Sequence, residues 1–132
     1  MYTVTIADVA ELTEEVLKVT FSSATPASSD ARSSSIGVTL TITGRVAYDA
    51  DKVFMKNSTK VIAEWSTKKP DSPDTYKEVT VQFDHTGATR TYKLSHAFVV
   101  SFYEQFEDQN GFFELVVRQK KDRIDDNGIK VE

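Results

Sequence analysis

Residues 36–48 read IGVTLTITGRVAY, and apolar residues alternate with polar ones along most of this stretch. A period of two places successive side chains on opposite faces of a β-strand, so we predict a strand with one buried face. Gly44 lies inside the pattern, and a glycine within a strand typically marks a bulge or a bend. The residues on the predicted core face are Ile36, Val38, Leu40, Ile42, Val46 and Tyr48.

The same alternation predicts a chain built almost entirely of strands. Two four-residue segments, 85–88 (HTGA) and 108–111 (DQNG), each place a glycine where a hairpin loop needs positive φ. The pattern is typical of a mainly β fold, and we expect an antiparallel β-barrel of about eight strands or a curled sandwich. The further strands are predicted near 2–8, 15–23, 76–84, 88–95, 97–107 and 111–120, with a weak last strand near 128–132.

Residues 57–67, NSTKVIAEWST, predict one short α-helix beside the sheet. Asn57 or Ser58 can cap its first turn, and Val61, Ile62 and Trp65 fall on one face. A helix of this length is marginal on its own, so we expect its apolar face to pack against the sheet.

Two segments predict loops. Residues 24–35, ATPASSDARSSS, are rich in serine and lack periodicity, and residues 68–74, KKPDSPD, contain two prolines. A loop as long as the first is usually functional or disordered. The whole chain, residues 1–132, suits a single domain with one core.

The composition excludes several classes of function. The net charge of −4 disfavours nucleic acid or an anionic membrane as the main partner. The absence of cysteine excludes disulfides and thiolate chemistry. The first residues, MYTVTIADVAEL, lack the basic and apolar regions of a signal peptide, and no apolar run approaches the roughly 20 residues of a membrane span. We therefore expect a protein that assembles in the cytoplasm and has no membrane span.

The sequence offers little for catalysis or for binding a metal or cofactor. The only histidines are His85, in a predicted turn, and His96, before a predicted strand, where it is expected to pack or to make a local hydrogen bond. Neither the Gly-x-Ser-x-Gly elbow of serine hydrolases nor the His-Glu-x-x-His zinc motif is present. We predict that the protein is not an enzyme and that it has no catalytic residues, no metal site and no cofactor.

Two charged features near the C-terminus have ordinary explanations. Residues 122–128, DRIDDNG, resemble a calcium loop, but Arg123 would occupy the first ligand position, so the segment predicts a turn. A basic cluster suits a solvated strand end, or it could pair with an acidic patch on a neighbouring subunit. Its members are Arg118, Lys120, Lys121 and Arg123.

The predicted hairpin 97–120 is apolar on both faces. Phe98, Val100, Phe102 and Phe106 share the even face of its first strand, which we assign to the core together with Phe113, Leu115 and Val117. A second apolar face then needs a cover, either the helix that contains Trp65 or another copy of the chain. The residues expected on this second face are Val99, Tyr103, Phe112 and Val116.

The C-terminal half resembles a known family. The runs 92–100 (YKLSHAFVV), 103–106 (YEQF) and 113–121 (FELVVRQKK) are similar to the closing part of haemolysin-coregulated (Hcp-like) proteins. These form the tubes of type VI secretion systems, and related proteins form the tubes of contractile injection systems and phage tails. The resemblance extends more loosely to 31–33, to the strand 36–48 and to 63–66.

The resemblance implies a β-barrel with one flanking helix that assembles into a ring, usually of six copies, and stacks into a hollow tube. It implies sheath, spike or effector proteins as partners, and export as part of the tube. Val99, Tyr103, Phe112 and Val116 would then lie at the subunit interface. The loop 24–35 would reach the neighbouring ring through Ser28, Ser29, Asp30 and Arg32.

The alternative to a tube subunit is a non-catalytic binding module of barrel or sandwich type that acts as a monomer or dimer. An enzyme is the third hypothesis, and the histidines and motifs discussed above give it little support. The size of the protein in solution distinguishes the first two.

Overall fold

The computed structural model describes residues 1–25, 37–46, 48–49, 54–55, 58–107, 110–120 and 128–132. These residues form ten strands and one helix. The elements are β1 (Tyr2–Ile6), β2 (Ala10–Leu12), β3 (Val16–Ala24), β4 (Gly37–Arg45), β5 (Tyr48–Asp49), β6 (Phe54–Met55), α1 (Ser58–Ser66), β7 (Lys77–His85), β8 (Ala88–Glu107), β9 (Asn110–Gln119) and β10 (Ile129–Val131).

Eight strands form one antiparallel sheet, which confirms the predicted mainly β fold. Its order is β2-β1-β7-β8-β9-β4-β3, with β10 paired to β8, while β5 and β6 form a separate hairpin. The sheet is open rather than a closed barrel, because no ladder among the described residues joins the end strands β2 and β3. It is nevertheless strongly curled, since Phe21 of β3 stacks on Tyr92 of β8 with ring centroids 4.5 Å apart.

Strand β8 spans Ala88–Glu107 without a break, whereas the sequence predicts two strands there. The strand changes partners along its length. Its first part pairs with β7 and β10, and its second part pairs with β9. Ala97 is the crossover point, since it pairs with Lys77 of β7 and with Gln119 of β9.

A bulge at Val100 reverses the faces of β8. The register with β9 shifts there, so Val100 is an extra residue without a partner in β9. Val99 before it and Phe102 after it both pack against the core. Across this bulge the core face changes from the odd positions Ala97 and Val99 to the even position Phe102, and the prediction that Phe98 and Val100 face the core with Phe102 is wrong. Phe106, at the end of the strand, is also largely exposed.

One cluster of buried side chains joins the sheet to the helix. The predicted helix 57–67 is confirmed as Ser58–Ser66, with Ile62 and Trp65 both buried. The indole Nε1 of Trp65 donates a hydrogen bond to the carbonyl of Thr75 at 3.0 Å, so the irregular segment after the helix is tied to it. The buried apolar residues of the cluster are Val4, Ile6, Leu12, Val16, Val38, Leu40, Ile42, Ile62, Trp65, Val79, Val81, Leu94, Ala97, Phe113, Leu115 and Val117.

Several predictions fall on residues outside the described ones. The predicted stacking residues Ser28, Ser29, Asp30 and Arg32 all lie in 26–36, and most of the calcium-like segment lies in 121–127. The predicted helix cap, Asn57 or Ser58, lies outside the described side chains.

Candidate assembly surface

The hairpin of β8 and β9 carries three neighbouring apolar side chains on the face that points away from the core. They are Tyr103, Phe112 and Val116, which we call the outer hairpin patch. Tyr103 is 50% exposed and Phe112 is 38% exposed. Both lie across from polar residues, Glu114 and Gln105 respectively, and cross-strand partners share a face of the sheet. The patch is therefore a solvent-facing surface on a paired, regular element.

Val99 does not belong to this patch. It pairs with the buried Val117 and packs partly against the core. The reason is the bulge at Val100, which puts Val99 and Tyr103 on opposite faces although both numbers are odd. The structure thus brings together three of the four residues predicted for the second face and corrects the fourth.

The helix lies on the core face and does not cover the outer hairpin patch. The Thr59 hydroxyl near the start of α1 donates a hydrogen bond to the carboxylate of Glu104. Glu104 pairs with Phe113, which is buried in the core. The next residue, Tyr103, points to the opposite face. Of the two covers that the sequence leaves open for the second face, the helix is therefore excluded for this patch.

One edge of β8 is also without a strand partner beside the patch. The ladder with β7 ends at Ala97, and among the described residues no strand pairs with that edge of β8 from residue 98 to 107. Unpaired backbone groups at a sheet edge are a template for pairing with another chain. Tyr103 of the outer hairpin patch lies within this edge segment, and Phe112 and Val116 lie on the adjacent strand β9.

Glu104 gives the hairpin a pH-dependent contribution to stability. Burial raises the pKa of its carboxyl group, and the hydrogen bond from Thr59 opposes this only in part. A folded-state pKa above the unfolded value means that the folded state binds the proton more tightly. The stability that this group contributes is thus present below the unfolded pKa and is lost as the pH rises through the folded pKa.

We therefore expect Glu104→Gln to be more stable than the unmodified protein at pH 7, with the difference vanishing near pH 4. The effect is small, because the side chain is only partly buried. Thermal unfolding of the two proteins from pH 4 to pH 8 tests this, and a loss of stability in Glu104→Gln at pH 7 would contradict it.

A second surface lies at the other end of β8, where the curled sheet fails to close. A groove of about 180 Å³ opens between β3 and the inner face of β1, β7 and β8. Phe83 is 37% exposed there, and its ring lies 5.0 Å from that of Tyr2 and 6.2 Å from that of His85. We call this the aromatic groove, and its lining residues are Tyr2, Val19, Val81, Phe83, Arg90 and Tyr92.

The aromatic groove was not predicted from the sequence. Its residues come from β1, β3 and the β7–β8 hairpin, three segments that are far apart in sequence and become neighbours only through the sheet order. A signal was nevertheless present, because Tyr2 and Phe83 continue the core-face alternation of their strands by one step beyond the buried Val4 and Val81. When apolar residues continue the core face of a strand beyond its last buried residue, they indicate an apolar surface exposed at that end of the sheet.

The two histidines make local contacts. His85 stacks on Phe83, and His96 Nδ1 lies 2.8 Å from Ser95 Oγ, so His96 makes the local hydrogen bond that was one of the two roles expected for it. The buried Gln119 accepts a hydrogen bond from the His96 backbone N–H, and its amide nitrogen donates to Ser95 Oγ and to the carbonyl of Gly128. Gln119 therefore ties the start of β10 to the point where β8 changes partners.

The described members of the predicted basic cluster contact their own chain. Arg118 Nε donates a hydrogen bond to Thr39 Oγ1 at 3.2 Å, and Lys120 Nζ lies 5.0 Å from the ring centre of Tyr76. Lys121 and Arg123 lie outside the described residues.

In the described part of the chain, no three histidine or carboxylate side chains converge as ligands for a metal ion. None of the helical segments in this part combines the length and the apolar character needed to cross a bilayer. The chain matches no protein-family model, and no curated protein is significantly similar to it.

Proposed function

We propose that the protein is a structural subunit that assembles with copies of itself into a ring, and that the rings stack into a tube. The observation that carries this proposal is the outer hairpin patch, an apolar surface that the described part of the chain leaves uncovered. Exposed apolar surface on a rigid element favours a protein–protein contact. The number of copies, six, and the setting follow from the resemblance to Hcp-like tube proteins, which places the subunit in a contractile injection, type VI secretion or phage-tail machine.

The open edge of β8 supports the same proposal. A small curled sheet with an unpaired edge beside an apolar patch is prone to aggregate unless another chain covers both. Closed cyclic symmetry hides such surfaces in a finite assembly. In the proposed setting the protein assembles in the cytoplasm, is exported within the tube, and meets sheath, spike or effector proteins.

Neighbouring phenylalanines allow a matched test of this contact. We expect Phe112→Glu to yield smaller species that remain folded, because the side chain is exposed and its charge would be desolvated only in the assembly. We expect Phe113→Glu to unfold the domain, because Phe113 is only 1% exposed. Tyr103→Glu should behave like Phe112→Glu.

Light scattering gives the mass of each variant, and circular dichroism reports whether it is folded. Unfolding of Phe112→Glu would show that this side chain is needed by the domain itself. If Phe112→Glu and Tyr103→Glu both form an assembly of unchanged mass, the outer hairpin patch does not take part in the subunit contact.

The second candidate is a non-catalytic binding module that acts as a monomer or dimer. The aromatic groove favours it, because a concave site lined by aromatic side chains and one arginine suits a ligand. A protein that stays monomeric and binds a ligand in this groove would support the second candidate over the first.

A further inference from the structure

The aromatic groove combines apolar surface with one positive charge. Arg90 is exposed, and it pairs with Phe83, so both side chains lie on the inner face of the sheet. In the described part of the chain Arg90 forms no salt bridge. The nearby Asp84 lies on the opposite face of β7, where its carboxylate accepts hydrogen bonds from Thr89 and Gln82. The groove therefore suits an aromatic surface that carries a carboxylate.

The outer hairpin patch has this chemistry. Tyr103 lies across from Glu114 on the same face of the hairpin. Phe112 pairs with Gln105 of β8, and Glu107, two residues after Gln105 on the same face, is exposed at the end of the strand. The hairpin thus presents aromatic side chains with acidic neighbours to solvent at one end of the molecule, and the exposed Arg45 of β4 lies across from Phe112 on the same face. Aromatic residues and arginine are the types that contribute most to protein–protein contacts.

The two surfaces do not meet within one chain. Arg90 and Tyr103 lie on the same strand, and thirteen residues of strand span up to about 40 Å. No residue of the hairpin lines the groove. A contact between the two surfaces must therefore join different copies, with a different surface contributed by each copy. Such a head-to-tail contact produces a ring if the rotation closes and a filament if it does not.

We infer that the aromatic groove of one copy receives the outer hairpin patch of the next copy. Arg90 then lies against the carboxylates of Glu107 and Glu114, and the rings of Tyr103 and Phe112 cover Phe83. The inference rests on the proposed function, and it adds which surface of the neighbouring copy the outer hairpin patch contacts.

Single substitutions test each half of this contact. Arg90→Glu places a like charge against the acidic hairpin, and we expect the assembly to weaken by at least about tenfold. Arg90→Gln keeps the length of the side chain but removes the charge, so it should weaken the assembly less. Lys93→Glu is the control, because Lys93 lies on the opposite face of the same strand and should leave the assembly unchanged.

Mixing two defective variants is the decisive experiment. Arg90→Glu retains an intact hairpin, and Phe112→Glu retains an intact groove. Each alone should be largely monomeric, and a mixture of equal amounts should form dimers that contain one copy of each, because only one good contact remains. Native mass spectrometry distinguishes these heterodimers from homodimers by their masses. Circular dichroism of each variant establishes that it is folded.

The outcomes separate this inference from the proposed function. If the unmodified protein assembles and Arg90→Glu assembles equally well, the groove contact is overturned and self-assembly stands. The same holds if the mixture of the two variants stays monomeric. A monomeric unmodified protein would overturn both.

Discussion

Trp65→Ala is expected to lower the free energy of unfolding by about 3–5 kcal/mol. Trp65 is 4% exposed, and it is one of two residues by which α1 enters the core. The substitution removes the apolar contacts of the indole and also leaves the carbonyl of Thr75 without its hydrogen bond from Nε1. Because this is the only tryptophan in the chain, unfolding should be followed by circular dichroism rather than by fluorescence.

Trp65→Phe provides the control for this effect. It keeps most of the apolar volume and loses the hydrogen bond, so its cost should be clearly smaller than that of Trp65→Ala. Both variants should be compared at one protein concentration, because assembly of the folded state would add to the apparent stability. A loss below about 1 kcal/mol for Trp65→Ala would mean that the helix is peripheral to the fold.

Gly44→Ala is expected to destabilise the protein by about 1–3 kcal/mol or more. A Cβ atom at this position would lie 2.1 Å from the backbone oxygen of Glu15 and 2.7 Å from the ring of Phe113. Neither can give way easily, because one is backbone and the other is a buried core ring. The close approach coincides with a bulge between Val16 and Lys18 in the partner strand, so the glycine lets two strands cross closely where the sheet curls.

The same strand offers a matched control in Gly37. A Cβ atom there meets nothing closer than the Ala24 carbonyl at 4.0 Å. Gly37→Ala should therefore change the free energy of unfolding by no more than about 0.5 kcal/mol. Chemical denaturation measures both changes. If Gly44→Ala and Gly37→Ala lowered the free energy of unfolding equally, the close contacts of a Cβ atom at position 44 would not be the reason that glycine is needed there.

The sequence predicts the long strands well because each has one buried face. Alternation is a strong signal over nine or more residues, as in β3, β4, β7 and β9, and the short β10 is also confirmed. β2 and β6 were missed because two or three residues carry no measurable period. The strand predicted over 36–48 ends at Arg45, and Tyr48 belongs to the separate hairpin of β5 and β6. The continuity of β8 was missed because the core-face alternation changes phase between Leu94 and Ala97, where the register with β7 shifts, so the stretch predicts two strands.

The candidate site was predicted only in part. Tyr103, Phe112 and Val116 were assigned to the second face, where the structure places them. Val99 was assigned there too, and the bulge at Val100 overturned that assignment. A bulge adds one residue without a distinctive sequence, so every face assignment on one side of it is reversed. The barrel was also predicted, but closure depends on a ladder between the end strands, and local alternation does not specify such a ladder.

The mass of the unmodified protein in solution tests the central claim most directly. Light scattering over a range of protein concentrations should show a discrete species of about six times the chain mass of 14.8 kDa, or larger species built from it. That result would agree with a subunit whose outer hairpin patch is covered by another copy. A single species of 14.8 kDa at the highest concentrations would contradict self-assembly.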